Sequence, residues 1–307
     1  MKEITANEVE GLQIGHAQWD ELGTGVSVLY FPKGARVGVD ISGGGPASRE
    51  TPLASPLTAD NPVNAIVLSG GSAYGLAASD GVMQCLEEHG IGYDTRIALV
   101  PLVLQSCIYD LGYKQGKIRP NAELGREACE KALAGTDGRS GNIGGGCGAT
   151  VGKILGGERA SKAGFGFYSV CMGDLQVTAV VVVNALGDVI DPSNGKIVAG
   201  LTNEEHTGFI SSVEKMYEFM DPEKFQNSNT TIGAVITNAA FDKGQMNKIA
   251  SMTRCAYARC IYPVATMGDG DSIYAASVGD VKADINLVGT LAAQAMAQAI
   301  LNAVKNA

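Results

Sequence analysis

A polar stretch that runs directly into a β-prone one, residues 226–239, constrains this chain most strongly. Gln226 to Asn229 are polar, Thr230 and Thr231 follow, and residues 232–236 suit a buried strand. The sequence therefore predicts a loop that ends at a threonine opening a strand. A chain cut before Thr230 would carry a hydroxyl fixed at a strand end, beside a freed α-amino base with an ordinary pKa of ~7.7–8.0. The alternative is that both threonines merely begin the strand.

Composition narrows the class of protein. The chain has 307 residues, 45% of them hydrophobic and 41 of them glycine, which fits one large domain or two small ones with tight turns. The net charge of −9 argues against nucleic-acid and anionic-membrane partners. Seven cysteines without paired spacing, and an N-terminus without an apolar segment, predict reduced thiols and a cytoplasmic location. Three scattered histidines favour neither a zinc site nor a histidine-based triad.

Hydrophobic periodicity gives a coarse order of elements. Residues 26–31 and 37–41 are predicted to form a hairpin through the turn at 32–34. Residues 191–229 are polar, and we predict a linker there with a helix around 206–220. Strands that cluster before and between the helices favour an α/β (α+β) fold, a four-layer α–β–β–α sandwich, over an alternating βαβ fold. The other predicted elements are strands at 64–68, 96–104, 162–171, 177–183 and 230–238, and helices ending near 89 and spanning about 122–134, 242–260 and 284–304.

Several residues are candidates for chemistry, each beside a simpler interpretation. Asn184 ends a predicted strand, where its amide can serve as an oxyanion donor or simply form a turn. Asp269 and Asp271 resemble part of a calcium loop, but the closing glutamate is missing. Cys147 lies among glycines without a nearby base, and Lys153 has the wrong spacing for a phosphate-binding loop. The glycine-rich turn at 69–76 favours a substrate pocket over a nucleotide site.

Taken together and in order, these motifs resemble one family: the self-cleaving aminopeptidases that include L-aminopeptidase/D-esterase and the β-aminopeptidases, related in fold to ornithine acetyltransferase. The resemblance covers nearly the whole chain. It implies one domain, residues 1–307, cut between Asn229 and Thr230 into an α chain, 1–229, and a β chain, 230–307. The stretches that carry it are 15–16 with 24–26, 68–76, 141–153, 183–188, 229–233 and 269–275.

The resemblance also implies site roles. Thr230 becomes the N-terminal nucleophile, with Thr231 as the off-by-one alternative, and Asn184 matches the oxyanion-hole asparagine. Asp271 and Asp269 stand where members carry a Glu and a Ser that bind the substrate amine and assist the nucleophile, so Asp269 departs from the pattern. Tyr109 is a weaker match to an oxyanion tyrosine in the substrate-binding site. The histidine that members often carry within 252–256 is absent.

The function implied is an aminopeptidase or amidase that acts on small peptides, amino-acid amides or esters through an acyl-Thr intermediate. No cofactor or metal is implied, and the partners are the substrate, the chain's own cleaved fragment and further copies, as a tetramer of cleaved pairs. Two alternatives remain: an acyltransferase of the ornithine type, and a processed but inactive binding protein. Offering the enzyme water or an amine as the acyl acceptor distinguishes a hydrolase from the acyltransferase. Turnover of an aminoacyl p-nitroanilide distinguishes an enzyme from the inactive binding protein.

Overall fold

The computed structural model describes residues 1–218 and 229–307. The strands are β1 Lys2–Glu3, β2 Gln13–Trp19, β3 Thr24–Ile41, β4 Ala47–Arg49, β5 Val63–Ser69, β6 Tyr93–Asp94, β7 Leu99–Val100, β8 Val103–Cys107, β9 Thr150–Val151, β10 Ser161–Lys162, β11 Phe165–Met172, β12 Leu175–Asn184, β13 Asp188–Asp191, β14 Lys196–Ala199, β15 Thr230–Ala239, β16 Ile261–Tyr262 and β17 Ser272–Val281. The helices are α1 Ala78–Glu88, α2 Ala122–Ala134, α3 Ser212–Tyr217, α4 Lys243–Thr253, α5 Cys255–Cys260 and α6 Ile285–Lys305.

A ten-stranded sheet folded at the long strand β3 organises the molecule. Its order is β1-β11-β12-β15-β17-β3-β5-β8-β4, with β2 also pairing with β3. The second half of β3 pairs with β17, and its first half pairs with β2 and β5. β3 therefore belongs to both halves of the sheet, which face each other as two layers.

Helices cover the outer faces of both layers. α1 and α2 pack on β2, β3 and β5 through a cluster that includes Val28, Val67 and Val82, while α4 and α6 pack on the layer that contains β11, β12 and β17. Between the layers, the ring of His16 meets that of Phe165 edge-on, and the hydroxyls of Ser106 and Tyr274 lie 2.9 Å apart. This arrangement confirms the predicted four-layer α–β–β–α sandwich.

Local sequence explains the best-defined elements. The run from Val177 to Val183 is apolar at nearly every position because β12 is buried on both faces. α4 begins with a capping box in which Asp242 and Gln245 each accept the other's backbone N–H. α6 begins at the cap Asp284. Its 21 residues are long and apolar enough to cross a membrane, with a mean hydropathy of 1.4, but 61% of this apolar stretch is buried inside the protein.

Two predicted elements are wrong in part. The hairpin expected at 26–41 is instead the single strand β3: Gly34, with φ of +71°, produces a register shift against β5 without reversing the chain. The helix expected at 206–220 is limited to α3 within the described residues, while the loop residues 226–228 and the end of that helix lie outside them. The segment predicted as a linker, residues 191–229, also contains β14, which pairs antiparallel with β13 just before it.

Candidate active site

Thr230 is the first residue of β15, a buried strand between β12 and β17. Its side chain is almost fully buried, and its hydroxyl donates to the carbonyl oxygen of Asn229. The same oxygen accepts the backbone N–H of Gly270 at 3.0 Å. The peptide bond between Asn229 and Thr230 thus has a hydroxyl against its carbonyl and a hydrogen-bond donor on its oxygen.

Gly270 has room for this approach only because it lacks a side chain. A Cβ at this position would stand 2.8 Å from the Thr230 Oγ1 and 3.0 Å from the carbonyl oxygen of Gly45. The sequence predicts that the glycines of this turn allow the backbone to approach the nucleophile closely, and the structure places Gly270 there.

Asn184 is the last residue of β12 and the direct ladder partner of Thr230. Its side chain is fully buried; Oδ1 accepts the backbone N–H of Thr150 at 3.1 Å, and Nδ2 donates to the carbonyl oxygen of Tyr109 at 2.9 Å. These two bonds fix the orientation of the amide. An asparagine Nδ2 carries two hydrogens, so one donor remains beyond the bond to Tyr109.

Asp269 and Asp271 lie in the turn before β17, and each is only 1% exposed. The Asp271 carboxylate accepts two backbone N–H groups, that of Thr231 at 2.6 Å and that of Ala265 at 2.9 Å. Asp269 accepts the N–H of Thr266 at 2.7 Å and pairs with Asn229 in an isolated parallel bridge. Both acids are therefore held by the backbone beside the strand that begins at Thr230, away from bulk water.

Burial and mutual repulsion change the charge of these groups. Burial, followed by the neighbouring Asp269, raises the pKa of Asp271 to about 7, and burial raises the pKa of Asp269 as well. Burial lowers the pKa of Lys153 to about 7, although Asp269, Asp110 and Asp271 oppose that change. The site thus contains three buried carboxyls around one buried lysine, and two of these groups, Asp271 and Lys153, have a pKa of about 7.

Sequence reasoning missed Lys153 and Asp110 as members of this site. The Lys153 ammonium donates to the carbonyl oxygen of Asn184 at 3.0 Å. Asp110 accepts the Thr24 hydroxyl and the Gly71 N–H, both at 2.7 Å, and so anchors the glycine-rich turn. A lysine within a glycine-rich, otherwise uncharged stretch is the one signal that pointed to Lys153, and only the folded chain shows which acids surround it.

Thr230 is one of the residues that line a cavity of about 320 Å³. Its lining is Gly44, Gly45, Ala47, Ser72, Cys107, Tyr109, Asn229, Thr230, Met267 and Gly268. Tyr109 also borders a second cavity of about 180 Å³, with Asp110, Tyr113 and Lys153. The structure thus brings Thr230, Asn184, Asp269, Asp271 and Tyr109 together. The carbonyl oxygen of Tyr109 accepts a hydrogen bond from Asn184, and Tyr109 lines both cavities.

Other polar candidates from the sequence lie outside this cavity's lining. Burial raises the pKa of the Cys147 thiol to about 11, so the reactive thiolate is scarce near neutral pH. His16 is buried between the layers, where its ring nitrogens are hydrogen-bonded to the Ser27 hydroxyl and the Asp137 carbonyl oxygen. Both residues contribute to packing in these positions.

Comparison with known proteins gives a consistent picture. A family model described as Peptidase family S58 matches residues 4–307. An uncharacterized aminopeptidase of Mycobacterium tuberculosis is 35% identical, with 100% of this chain and 94% of the relative covered. A 6-aminohexanoate-oligomer endohydrolase of Kocuria sp. is 31% identical, with 99% and 87% covered. The L-aminopeptidase D-Ala-esterase/amidase of Ochrobactrum anthropi has the same fold, with a TM-score of 0.73, 15% identity, and 98% and 85% covered.

Proposed function

The chain belongs to peptidase family S58 and is a hydrolase, and on that basis we propose that it is an aminopeptidase or amidase that activates itself by cleavage between Asn229 and Thr230. The freed Thr230 then attacks the amide or ester of a small peptide, amino-acid amide or amino-acid ester. The products are an acyl-Thr intermediate and, after hydrolysis, a free acid.

One observation carries the proposal: the Thr230 hydroxyl lies against the carbonyl of the peptide bond that precedes it, at the base of a cavity. A threonine that only opens a strand needs neither the cavity nor the N–H of Gly270 on that carbonyl oxygen. A donor on the oxygen stabilises the negative charge that develops there when the carbonyl carbon is attacked.

Self-cleavage follows in two steps. The Thr230 oxygen bonds to the Asn229 carbonyl carbon, the C–N bond breaks, and the hydroxyl proton ends on the departing nitrogen. The product is an ester with a free amine on Thr230. Water then hydrolyses the ester, which leaves a carboxylate on Asn229 and a free hydroxyl beside a free amine on Thr230.

Turnover repeats this chemistry on a substrate. The neutral amine of Thr230 takes the proton of its own hydroxyl as the oxygen attacks the substrate carbonyl. The second Nδ2 hydrogen of Asn184 is the proposed donor to the developing oxyanion, and one of Asp269 and Asp271 holds the Thr230 amine while the other accepts a substrate ammonium. Protonation lets the leaving amine depart, and water releases the acyl group.

The substrate class is drawn from the relatives. Matching proteins are described as an uncharacterized aminopeptidase and as a 6-aminohexanoate-oligomer endohydrolase. The buried acids favour substrates with a free amine, because a buried ammonium needs a carboxylate partner.

A denaturing gel with N-terminal sequencing tests the first half of the proposal, and release of p-nitroaniline from aminoacyl p-nitroanilides tests the second. Capped 6-aminohexanoate oligomers and an added amine acceptor identify internal cleavage and acyl transfer. An intact chain that is nevertheless active would contradict the mechanism, and a cleaved chain without turnover on any of these substrates would contradict the activity.

A further inference from the structure

The segment between β8 and α2 carries an unusual charge for this molecule. Residues 111–120 contain Lys114, Lys117 and Arg119 and no acid, although the chain as a whole has 32 acids against 23 lysines and arginines. Lys114 donates to the carbonyl oxygen of Asp20 at 2.6 Å. Lys117 is exposed, whereas part of the Arg119 side chain is buried.

Arg119 is oriented by an aromatic ring, and no carboxylate of residues 1–218 and 229–307 forms an ion pair with it. Its guanidinium carbon lies 4.1 Å from the centre of the Tyr74 ring, although that tyrosine is 63% exposed. Its Nε is buried and has no hydrogen-bond partner among the described residues. Carboxylates are paired instead with other arginines in the described part of the chain: Arg36, Arg49, Arg126, Arg139 and Arg254. Stacking on a ring orients a guanidinium but leaves its N–H donors unused.

The stacked pair is attached to the turn that carries Ser72, one of the residues that line the cavity next to Thr230. Pro120, the next residue after Arg119, packs so closely on Gly71 that a Cβ there would lie 2.8 Å from the proline Cδ. Ser72, the next residue after Gly71, lines the cavity, and Tyr74 follows two positions later. Arg119 and Tyr74 are thus both attached to the turn that forms one wall of the cavity.

No residue lining the described cavity carries a positive charge. The nearby ammonium of Lys153 is bonded to the Asn184 carbonyl oxygen and surrounded by three acids. An anionic end of a substrate therefore needs a cation from outside this lining, and Arg119 is attached to the turn that carries the lining residue Ser72.

We propose that Arg119, oriented by Tyr74, binds the terminal carboxylate of the leaving portion of the substrate. This inference rests on the proposed function and specifies its substrate class: short peptides or amino-acid oligomers that end in a free carboxylate. A guanidinium presents paired N–H donors that match the two oxygens of a carboxylate, which an uncharged amide end does not supply.

The test compares a dipeptide with its C-terminal amide on the self-cleaved enzyme. Arg119→Gln is expected to raise KM for the free dipeptide by about tenfold or more and to leave KM for the amide within about twofold, because one charge-assisted contact is lost. The kcat for both is expected to remain close to that of the wild type, since no step of the proposed mechanism uses Arg119. Arg119→Lys is expected to fall between wild type and Arg119→Gln.

Arg259→Gln is the matched control, since Arg259 is exposed in the last turn of α5, and its kinetics are expected to match the wild type. If Arg119→Gln raises KM equally for the free dipeptide and for its amide, Arg119 is a packing residue and the inference is overturned. The inference is also overturned if the wild-type enzyme prefers the amide to the free dipeptide. If the amide is turned over and Arg119→Gln does not change the preference between the dipeptide and the amide, the proposed function stands and this inference alone is overturned. A cleaved wild type that turns over an aminoacyl p-nitroanilide but neither dipeptide overturns this inference alone, and one that turns over none of these substrates overturns both.

Discussion

Thr230 and Asn184 are direct partners across the antiparallel ladder between β15 and β12. Paired residues of a ladder point to the same face, so the proposed nucleophile and the proposed oxyanion donor both face the second layer of the sandwich. Thr231 pairs with Val183 and points to the opposite face. The strand register thus separates two threonines that the sequence alone presents as equivalent candidates.

The first prediction uses that separation. Thr230→Val is expected to remain a single chain, while Thr231→Val is expected to cleave like the wild type into 1–229 and 230–307. The Thr231 hydroxyl is buried without a hydrogen-bond partner among the described residues, so its removal is expected to cost little stability. A denaturing gel with N-terminal sequencing of the smaller fragment measures this. A fragment that begins at Thr231 would move the nucleophile by one residue.

The second prediction concerns the amide of Asn184. Asn184→Ala is expected to lower kcat of the cleaved enzyme by roughly 10²–10³, the usual effect of losing one oxyanion donor. Thermal unfolding serves as the control, because the substitution also removes bonds to Thr150 and Tyr109. A loss of less than about threefold with a native melting curve would leave Asn184 a strand-end residue with no role in the oxyanion hole.

The sequence predicted those helices and strands that are determined by residues within the element itself. The apolar period of α6 and the apolar run of β12 each predict an element without reference to the rest of the chain. The turn at 32–34 shows the limit of such signals. Pro32 and Gly34 are typical of a hairpin, yet pairing of residues 36–41 with β17 keeps β3 extended. That pairing partner lies far along the chain and has no local signature.

The site divides in the same way. Thr230 and Asn184 were identifiable because each lies at a recognisable end of a strand. Lys153 and Asp110 were not, because what distinguishes them is a buried charge next to acids from other elements. Arg119 likewise stands out only when its stacking on Tyr74 and its unused Nε are seen together.

The third prediction is a pH dependence of stability that comes from His16. Burial lowers the pKa of His16 to about 4 from an ordinary 6.5. Between these two pH values the unfolded chain therefore binds a proton at His16 and the folded protein does not. Its contribution is fully present above about pH 6.5 and is lost as pH falls towards 4, by on the order of 3 kcal/mol in total. Urea unfolding between pH 4 and 7 measures this contribution, with Thr230→Val as the parent chain and the double variant that carries Thr230→Val and His16→Gln as the comparison.

The exposed His206 provides the control for that experiment: His206→Gln is expected to leave the pH dependence of the urea midpoint unchanged. His16→Gln is expected to be less stable than its parent at pH 7, since it loses the fit against Phe165, but to show a flatter decline towards pH 4. An unchanged slope would mean that His16 is not the residue whose protonation unfolds the chain.

The last prediction separates the two acids by the substrate they serve. The substrate of an aminopeptidase carries an ammonium, and Asp271 is a buried carboxyl whose two oxygens are aimed by the N–H groups of Thr231 and Ala265. Asp271→Asn is therefore expected to raise KM or abolish turnover for amine-bearing substrates far more than for N-acylated ones. The replacement keeps the size of the side chain but removes the charge that the ammonium requires.

The pH profile gives an independent readout of that role. Since burial and Asp269 raise the pKa of Asp271 to about 7, its carboxylate forms as pH rises through neutrality. In the wild type, the ratio of kcat/KM for an amine-bearing substrate to that for its N-acylated form is expected to rise between about pH 6 and 7, below the ordinary pKa of the substrate ammonium of ~7.7–8.0. The ratio cancels groups that serve both substrates, such as the Thr230 amine, and in Asp271→Asn it is expected to stay flat. Equal losses on both substrate kinds, with a flat ratio in the wild type, would assign Asp271 to the nucleophile and leave Asp269 as the acid to test next.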